Sequence, residues 1–463
     1  MTGTIPSFAP FAERMQAAGL PDVLIRTFAH HYHQLAEGQT GLIREDTLRE
    51  IGALPDLEKL PEVYLAAERR APSAVVMIKL NGGLGTSMGL DRAKSLLQVR
   101  PGCTFLEVIA RQAARDGLPL MLMNSFSTRQ DTLEALRDYR PHDPRIPLDF
   151  LQHMAPKVLQ ADLSPATWPA EPELEWAPPG HGDLYVAIRT SGVLDALLAA
   201  GYRYAFVSNA DNLGAVYSPQ IAGYMRAEGI PFLMEVADRT ESDNKGGHLA
   251  RSQDGRLILR ESAQCAEQDR AAFADITRHR YFNTNNLWLD LTAVRDLLER
   301  TEGVLDLPMI RNSKHLDPRD ESSPMVYQLE TAMGSAISLF PGATALRVPR
   351  SRFAPVKTTD DLLALRSDAY IMTDDYRVLP NPERLQGPPV VRLDPRFYRR
   401  IDDLDARFPS GAPSLLQCDA LTVEGDVQFG RSVVCVGAVT IVNASAERRC
   451  IPDTAVLEGY VDL

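Results

Sequence analysis

The chain has 463 residues, of which 44% are hydrophobic, and a formal net charge of −12. That length allows about two or three domains with a substantial core, and the acidic balance argues against a general nucleic-acid binder, which needs broad basic surfaces for the phosphate backbone. No uninterrupted apolar run approaches the roughly 18 residues that would span a bilayer, and the start MTGTIPSFAPFAERM lacks a basic segment followed by an apolar core, so a cytoplasmic protein without a membrane partner is expected. Cys103, Cys265, Cys418, Cys435 and Cys450 are odd in number and widely spaced, with no C-x-x-C pair, and read as structural thiols rather than a disulfide framework or zinc site.

In chain order, residues 1–70 read as a helical segment, with Leu24, Phe28, Tyr32 and Leu35 at helix-like spacing. From Ala74 the chain alternates short apolar runs with helical ones, the pattern of a mixed, mostly parallel sheet flanked by helices in an α/β fold. The run Ala74-Val75-Val76-Met77-Ile78 predicts a strand that opens into KLNGGLGTSMG, with four glycines in eight residues. Such a loop brings backbone N–H groups close to a phosphate chain. It matches neither the G-x-G-x-x-G dinucleotide fingerprint nor the Walker pattern, because Lys94-Ser95 follows Ala93. A tight turn without a ligand is the alternative reading.

Thr104 and Glu107 form a capping-box pair for a helix ending near Gly117, followed by a strand at Leu118 to Met123 and a helix from about Thr128. The proline-rich stretch Glu171 to Gly180 reads as a loop. A helix from Val193 to Ala200 precedes strands at Tyr204 to Ser208 and Phe232 to Val236. In the tail, Leu421, Val427, Val433 and Val439 recur every six residues, each followed two residues on by Val423, Phe429, Cys435 and Ile441. A hexad period with β-branched residues predicts a β-helix, with an antiparallel hairpin pair as the alternative.

Only seven of the 49 basic residues are lysine, and Lys79, Lys94, Lys245 and Lys357 lie in or beside glycine-rich or strongly polar motifs. A compact ammonium there suits phosphate neutralisation. Asp211, in SNADNLG directly after the strand Tyr204 to Ser208, sits where ligands gather in open α/β sheets and is placed to hold a magnesium ion between phosphates. FNTNN supplies Asn283, Asn285 and Asn286 beside an expected strand start, with donors and acceptors suited to sugar hydroxyls or a base edge. Lys245-Gly246-Gly247, Glu330 in QLETA, and the cluster Arg350, Arg352 and Lys357 are further candidates. Turn formation or a solvated basic edge is the other reading of each.

Together these motifs resemble the eukaryotic-type UTP–glucose-1-phosphate uridylyltransferases, also called UDP-glucose pyrophosphorylases. The likeness runs collinearly through KLNGGLGTSMG, MNSF at Met123, PPGHGD at Pro178, SNADNLGA at Ser208, KGG at Lys245, FNTNNLW at Phe282, QLETA at Gln328 and VPRSRFAPVK at Val348. It implies a Rossmann-like nucleotidyltransferase core (71–385), an N-terminal helical segment (1–70) and a C-terminal β-helix (386–463), through which a homo-oligomer could form. By the same resemblance, UTP and glucose 1-phosphate would be converted to UDP-glucose and pyrophosphate with Mg2+. Leu80, Asn81, Gly82, Gly83 and Gly85 would hold the nucleotide, with Gln152 at the uracil edge and Gly182 beside it. His181, Asn209, Lys245, Gly246, Asn283, Asn285 and Glu330 would line the sugar side, His181 also near the nucleotide. Lys94, Lys357 and the metal-holding Asp211 would act on the reacting phosphates.

One departure stands out: Leu90-Asp91-Arg92-Ala93-Lys94-Ser95 occupies the place where the family often has Cys-x-Gly-Pro-Lys-Ser, so the loop lacks a shaping glycine and proline. The rival expectations are a pyrophosphorylase for N-acetylglucosamine 1-phosphate or a broad range of sugars, and a non-catalytic nucleotide-sugar sensor. A sensor would be expected to lack Lys94, Asp211 or Lys357, and all three are present.

Overall fold

The computed structural model describes residues 6–240, 243 and 246–463. Val75–Asn81 is buried along almost its whole length, as expected of a strand covered on both faces. It forms the middle of a ten-stranded sheet, pairing in parallel with Tyr204–Asn209 on one side and Leu120–Asn124 on the other. Asp149–Leu151 continues this parallel half. Thr344–Arg347 pairs in parallel with Phe232–Asp238.

The sheet is mixed, and the expectation that it is mostly parallel needs correction. Tyr281–Asp290 lies antiparallel between Tyr204–Asn209 and Phe232–Asp238, and His248–Ser252 with Leu257–Arg260 forms a further antiparallel pair. The reason is the connection. Tyr204–Asn209 reaches Phe232–Asp238 through the helix Pro219–Glu228, a crossover that keeps direction. Tyr281 instead pairs with Asp238, so the chain re-enters the sheet at the end where it left it and must run backwards.

Helix Asp22–Ala36 buries the anticipated stripe of Leu24, Phe28, Tyr32 and Leu35, together with Phe11 and Met15 from helix Ala9–Ala17, against Ala155, Val158, Val186 and Leu329. The helical reading of residues 1–70 does not hold throughout. Between Ala36 and Glu62 the glycine-interrupted chain forms only two short 3-10 turns and the strand Leu48–Arg49, which adds an edge to the main sheet. Helix Phe105–Arg115 starts on the expected capping box, where Thr104 Oγ1 accepts from the Glu107 N–H and Glu107 Oε2 accepts from the Thr104 N–H at 2.7 Å. Such a cap contributes about 1 kcal/mol.

In the tail, Val390–Leu393, Ser414–Glu424, Val434–Val442 and Val456–Asp462 pair in that order, and Val427–Phe429 pairs with Arg449–Ile451. Each of these pairings is parallel, unlike a hairpin pair. All eight residues of the hexad pattern are buried. The tail shares one apolar cluster with the helix Phe105–Arg115. Among the described residues no helix is long and apolar enough to cross a membrane.

Candidate active site

A cavity of about 270 Å³ opens at the carboxyl ends of the parallel strands Tyr204–Asn209, Val75–Asn81 and Leu120–Asn124. Leu80, Asn81, Gly82 and Gly83 form one wall, and Asn209, Ala210 and Asp211 another. Lys94, Ser95, Gln152, Pro178 and His181 complete it, with Met123. Asn81 is tied to the scaffold, its Nδ2 donating to Asn124 Oδ1 at 2.8 Å and to Thr132 Oγ1 at 2.9 Å. At Gly82 a Cβ would lie 2.5 Å from Gln152 Oε1, so a side chain there would displace the Gln152 amide. Gly85 belongs to the loop's packing rather than the cavity wall, because Leu90 fills the space where its side chain would be.

The loop closes without the missing glycine and proline. A bridge joins Leu84 to Ala93, and the Lys94 N–H donates to Gly83 O at 3.2 Å. Ala93 is fully buried in this closure. Lys94 Nζ then donates to Asp211 Oδ2 at 2.8 Å and to Val356 O. Lys357 Nζ donates to the same carboxylate oxygen at 3.0 Å. Burial pushes the Asp211 carboxyl up, but the Lys357 and Lys94 ammoniums beside it outweigh that and hold it below the usual carboxylate range. Asp211 Oδ1 is buried with no hydrogen-bond partner among the described residues. One carboxylate between two ammoniums carries a net positive charge, which suits polyanionic phosphates.

On the cavity's other side, Gln152 Nε2 donates to Gly180 O at 2.9 Å. Gly180 has φ +79°, and a side chain there would run into Thr331 O. His181 Nδ1 accepts from the Met333 N–H at 2.9 Å, so the ring proton sits on Nε2. Burial, with Lys357 nearby, lowers its pKa to about 4, leaving a neutral donor at pH 7. Gly182 packs against Thr331, just behind the wall.

The remaining sugar-side candidates among the described residues lie outside this cavity's lining. Glu330 ends the strand Met325–Glu330 and flanks Gly180. Gly246 follows Asp243, to whose carbonyl it donates, and Lys245 lies outside the described residues. FNTNN lies within the strand Tyr281–Asp290, not at its start. Asn283 and Asn285 bond one another, with Asn285 at φ +57°. The Asn283 N–H donates to Gly247 O.

Three basic residues considered for phosphates do other work. Arg352 is buried in a bidentate pair with Glu235, and Arg350 bonds Asp243. Lys79 lies wholly inside the protein, donating to Ser208 Oγ at 2.8 Å and Ala215 O at 2.9 Å, under the Phe206 ring. Lys79 sits two residues before the cavity end of the strand Val75–Asn81 and is not part of the cavity lining. Burial, followed by the Arg352 charge, lowers its pKa to about 7. The unfolded lysine, near 10.4, therefore binds a proton that the folded one releases between about pH 7 and pH 10, so this group makes stability rise with pH there. Lys79→Met is expected to flatten that rise in denaturation midpoints measured across the window; an unchanged slope would assign the rise elsewhere.

Glu235 had no motif to mark it. Its one signal was a carboxylate in the apolar run Phe232-Leu233-Met234-Glu235-Val236-Ala237. It accepts from Trp288 Nε1 at 2.8 Å and Asn286 Nδ2 at 3.0 Å as well as from Arg352. Asn286 Oδ1 accepts from Asn212 Nδ2, whose own Oδ1 takes the Ala354 N–H at 2.9 Å. This buried network ties the segment bearing Asp211 to the one bearing Lys357.

A glycine loop and a lysine-flanked carboxylate at the ends of parallel strands define an α/β nucleotidyltransferase. The sequence matches the UTP–glucose-1-phosphate uridylyltransferase family over residues 25–435, and the chain belongs to that family. It is 40% identical over 400 residues to the UTP–glucose-1-phosphate uridylyltransferase of Solanum tuberosum, covering 85% of this chain and 82% of that one. The corresponding enzyme of Saccharomyces cerevisiae is 40% identical over 396 residues, covering 84% and 78%. The fold is similar to that of a UDP-glucose pyrophosphorylase variant from Leishmania major in complex with UDP-glucose, with a TM-score of 0.91, 42% identity and 100% of both chains covered.

Proposed function

We propose that the chain forms UDP-glucose and pyrophosphate from UTP and glucose 1-phosphate. The observation that carries this reading is Asp211 held between Lys94 and Lys357 at the mouth of the glycine-lined cavity. The sugar phosphate arrives ionised and attacks the α-phosphorus of UTP in line, with pyrophosphate leaving. No side-chain base is needed; the protein aligns phosphates that otherwise repel and neutralises their charge.

The residues fit a magnesium ion brought with the nucleotide. The unpartnered Asp211 Oδ1 is a free acceptor in a buried site. No group of three or more His, Cys, Asp or Glu suited to a metal occurs among the described residues, so phosphates and water would complete the shell. Held by Asp211, the ion would add charge neutralisation at the phosphates.

Leu80 to Gly83 face the nucleotide in this reading, with Gly85 and Gly182 supporting the walls, and Gln152 meets the uracil edge. His181 and Asn209 lie where phosphate and sugar meet, and Lys245, Gly246, Asn283, Asn285 and Glu330 extend the sugar side. The core then spans 71–385, with the helical segment 1–70 before it and the tail 386–463 as a β-helix. Parallel pairing of the tail strands supports the last assignment, and exposed Val456 and Tyr460 on its final strand suit a homo-oligomer.

Pyrophosphate release with UTP against glucose 1-phosphate, galactose 1-phosphate and N-acetylglucosamine 1-phosphate tests the reading. Preference for the glucose compound is expected, and no release with any of them would favour the sensor. Lys357→Ala should lower turnover about 100- to 1,000-fold, the usual cost of one preorganised contact. Because Lys357 is more than half exposed, its fold should survive. Near-normal turnover in that variant would remove Lys357 from the mechanism.

A further inference from the structure

Gln152 can read a base only if its amide is held one way round. The Gly180 carbonyl is an acceptor, so it must face the NH2 group of Gln152, leaving Oε1 over Gly82 at the cavity wall. In that orientation Oε1 accepts the ring N3–H of uracil. Cytosine presents a lone pair at the same position and is repelled. If the amide is free to turn, its NH2 group meets the cytosine lone pair and the discrimination is lost.

A second link locks the two segments that carry Gln152 and Gly180. Asp183 Oδ2 accepts the backbone N–H of His153, the residue after Gln152, at 2.7 Å. Asp183 Oδ1 lies 2.9 Å from His153 Nδ1, which must carry a proton to bond a carboxylate. The Asp183 N–H returns to Gly180 O at 3.3 Å. Gln152, His153, Asp183 and Gly180 thus form a closed ring of hydrogen bonds, with the Asp183 side chain only 1% exposed. His153 Nε2 also meets Thr190 Oγ1 at 3.0 Å. The trio resembles a nucleophile triad in composition alone, since the Thr190 hydroxyl is engaged with Val186 O inside its own helix.

We infer that Asp183, acting through His153, is a positioning residue for base selection: it fixes the Gln152 amide so that the site takes a uridine rather than a cytidine nucleotide. This rests on the uridylyl-transfer reading above. Asp183 touches the substrate nowhere in this scheme. Its contribution is to the ratio between two nucleotides, which a merely structural residue would leave alone.

The test is kcat/KM of the full chain with UTP and with CTP at saturating glucose 1-phosphate, in wild type, Asp183→Ser and His153→Leu. Serine suits the N-cap position that precedes the helix Leu184–Thr190 but is too short to reach both His153 groups. The UTP-over-CTP ratio should fall at least about tenfold in Asp183→Ser, the scale set by a lost discriminating hydrogen bond. In His153→Leu the buried carboxylate keeps one partner, and a fall of at least about threefold is expected. Equal losses with both nucleotides in folded Asp183→Ser, leaving the ratio intact, would overturn the inference. If that variant shows no cooperative thermal transition, a retained ratio in His153→Leu does so instead. Wild-type failure with every nucleotide and sugar phosphate would sink the functional reading separately; the inference is then read from UTP and CTP dissociation constants by calorimetry, where the same ratio must fall.

Discussion

Replacing Asp211 with alanine is expected to lower the rate of pyrophosphate release by about a thousandfold or more, the largest effect of any single change at this site. Three functions leave with the one carboxylate. Its Oδ2 holds both Lys94 and Lys357, at 2.8 and 3.0 Å. Its Oδ1 is the buried acceptor available to a cation. Its charge also keeps two neighbouring ammoniums from repelling one another. Asp211→Asn separates these contributions, because it preserves the shape and one acceptor but loses the charge. It should retain its fold more fully than Asp211→Ala while remaining at least about a hundredfold slow. Single-turnover rates at saturating UTP and glucose 1-phosphate provide the measurement. A rate within tenfold of wild type in Asp211→Asn would mean that the carboxylate charge is not central. Since its lysines hold Asp211 below the usual carboxylate range, it stays ionised through mildly acidic pH, and any loss of rate between pH 5 and 7 belongs to another group.

Arg352→Met is expected to destabilise the protein by about 3–5 kcal/mol, the cost of leaving a buried charge without its partner. Glu235 is completely buried and takes Arg352 Nε at 2.7 Å, with Nη2 on its other oxygen. Trp288 and Asn286 satisfy the rest of the carboxylate but bring no charge. Removing the guanidinium therefore strands an anion in the interior. Removing the anion as well, in Glu235→Gln with Arg352→Met, should recover a good part of the loss, because a neutral amide leaves no stranded charge and its single oxygen still accepts from one of the two donors, Trp288 Nε1 or Asn286 Nδ2. Chemical denaturation midpoints of the two single variants and the double variant give the coupling. Additive losses would show that the ion pair is not the unit that holds this region. The same variants should slow turnover, since Arg352 O accepts from Asn212 and Asn286 in the network that sets Lys357 beside Asp211.

Much of this protein was legible along the chain. The glycine loop after an apolar run, the carboxylate at a strand end and the lysines beside polar motifs are local signals, since each depends on the backbone freedom or charge of a few adjacent residues. Those signals marked Lys94 and Asp211, the family resemblance added Gln152 and His181, and all four line one cavity. The capping box at Thr104 and the buried hexad of the tail were legible for the same reason, because spacing alone determines which side chains share a face. Direction within the sheet was not, since Tyr281–Asp290 runs antiparallel through the point at which the chain re-enters, a long-range property. Nor did composition separate a cation that meets phosphate from one that meets an internal carboxylate. Lys79, Arg352 and Lys357 belong to motifs of similar character, and only packing sends the first two inward and the third to the cavity's edge. Residue type and spacing determined which chemistry was available, while the tertiary structure decided which groups came within hydrogen-bonding distance, where charge is either matched or costly.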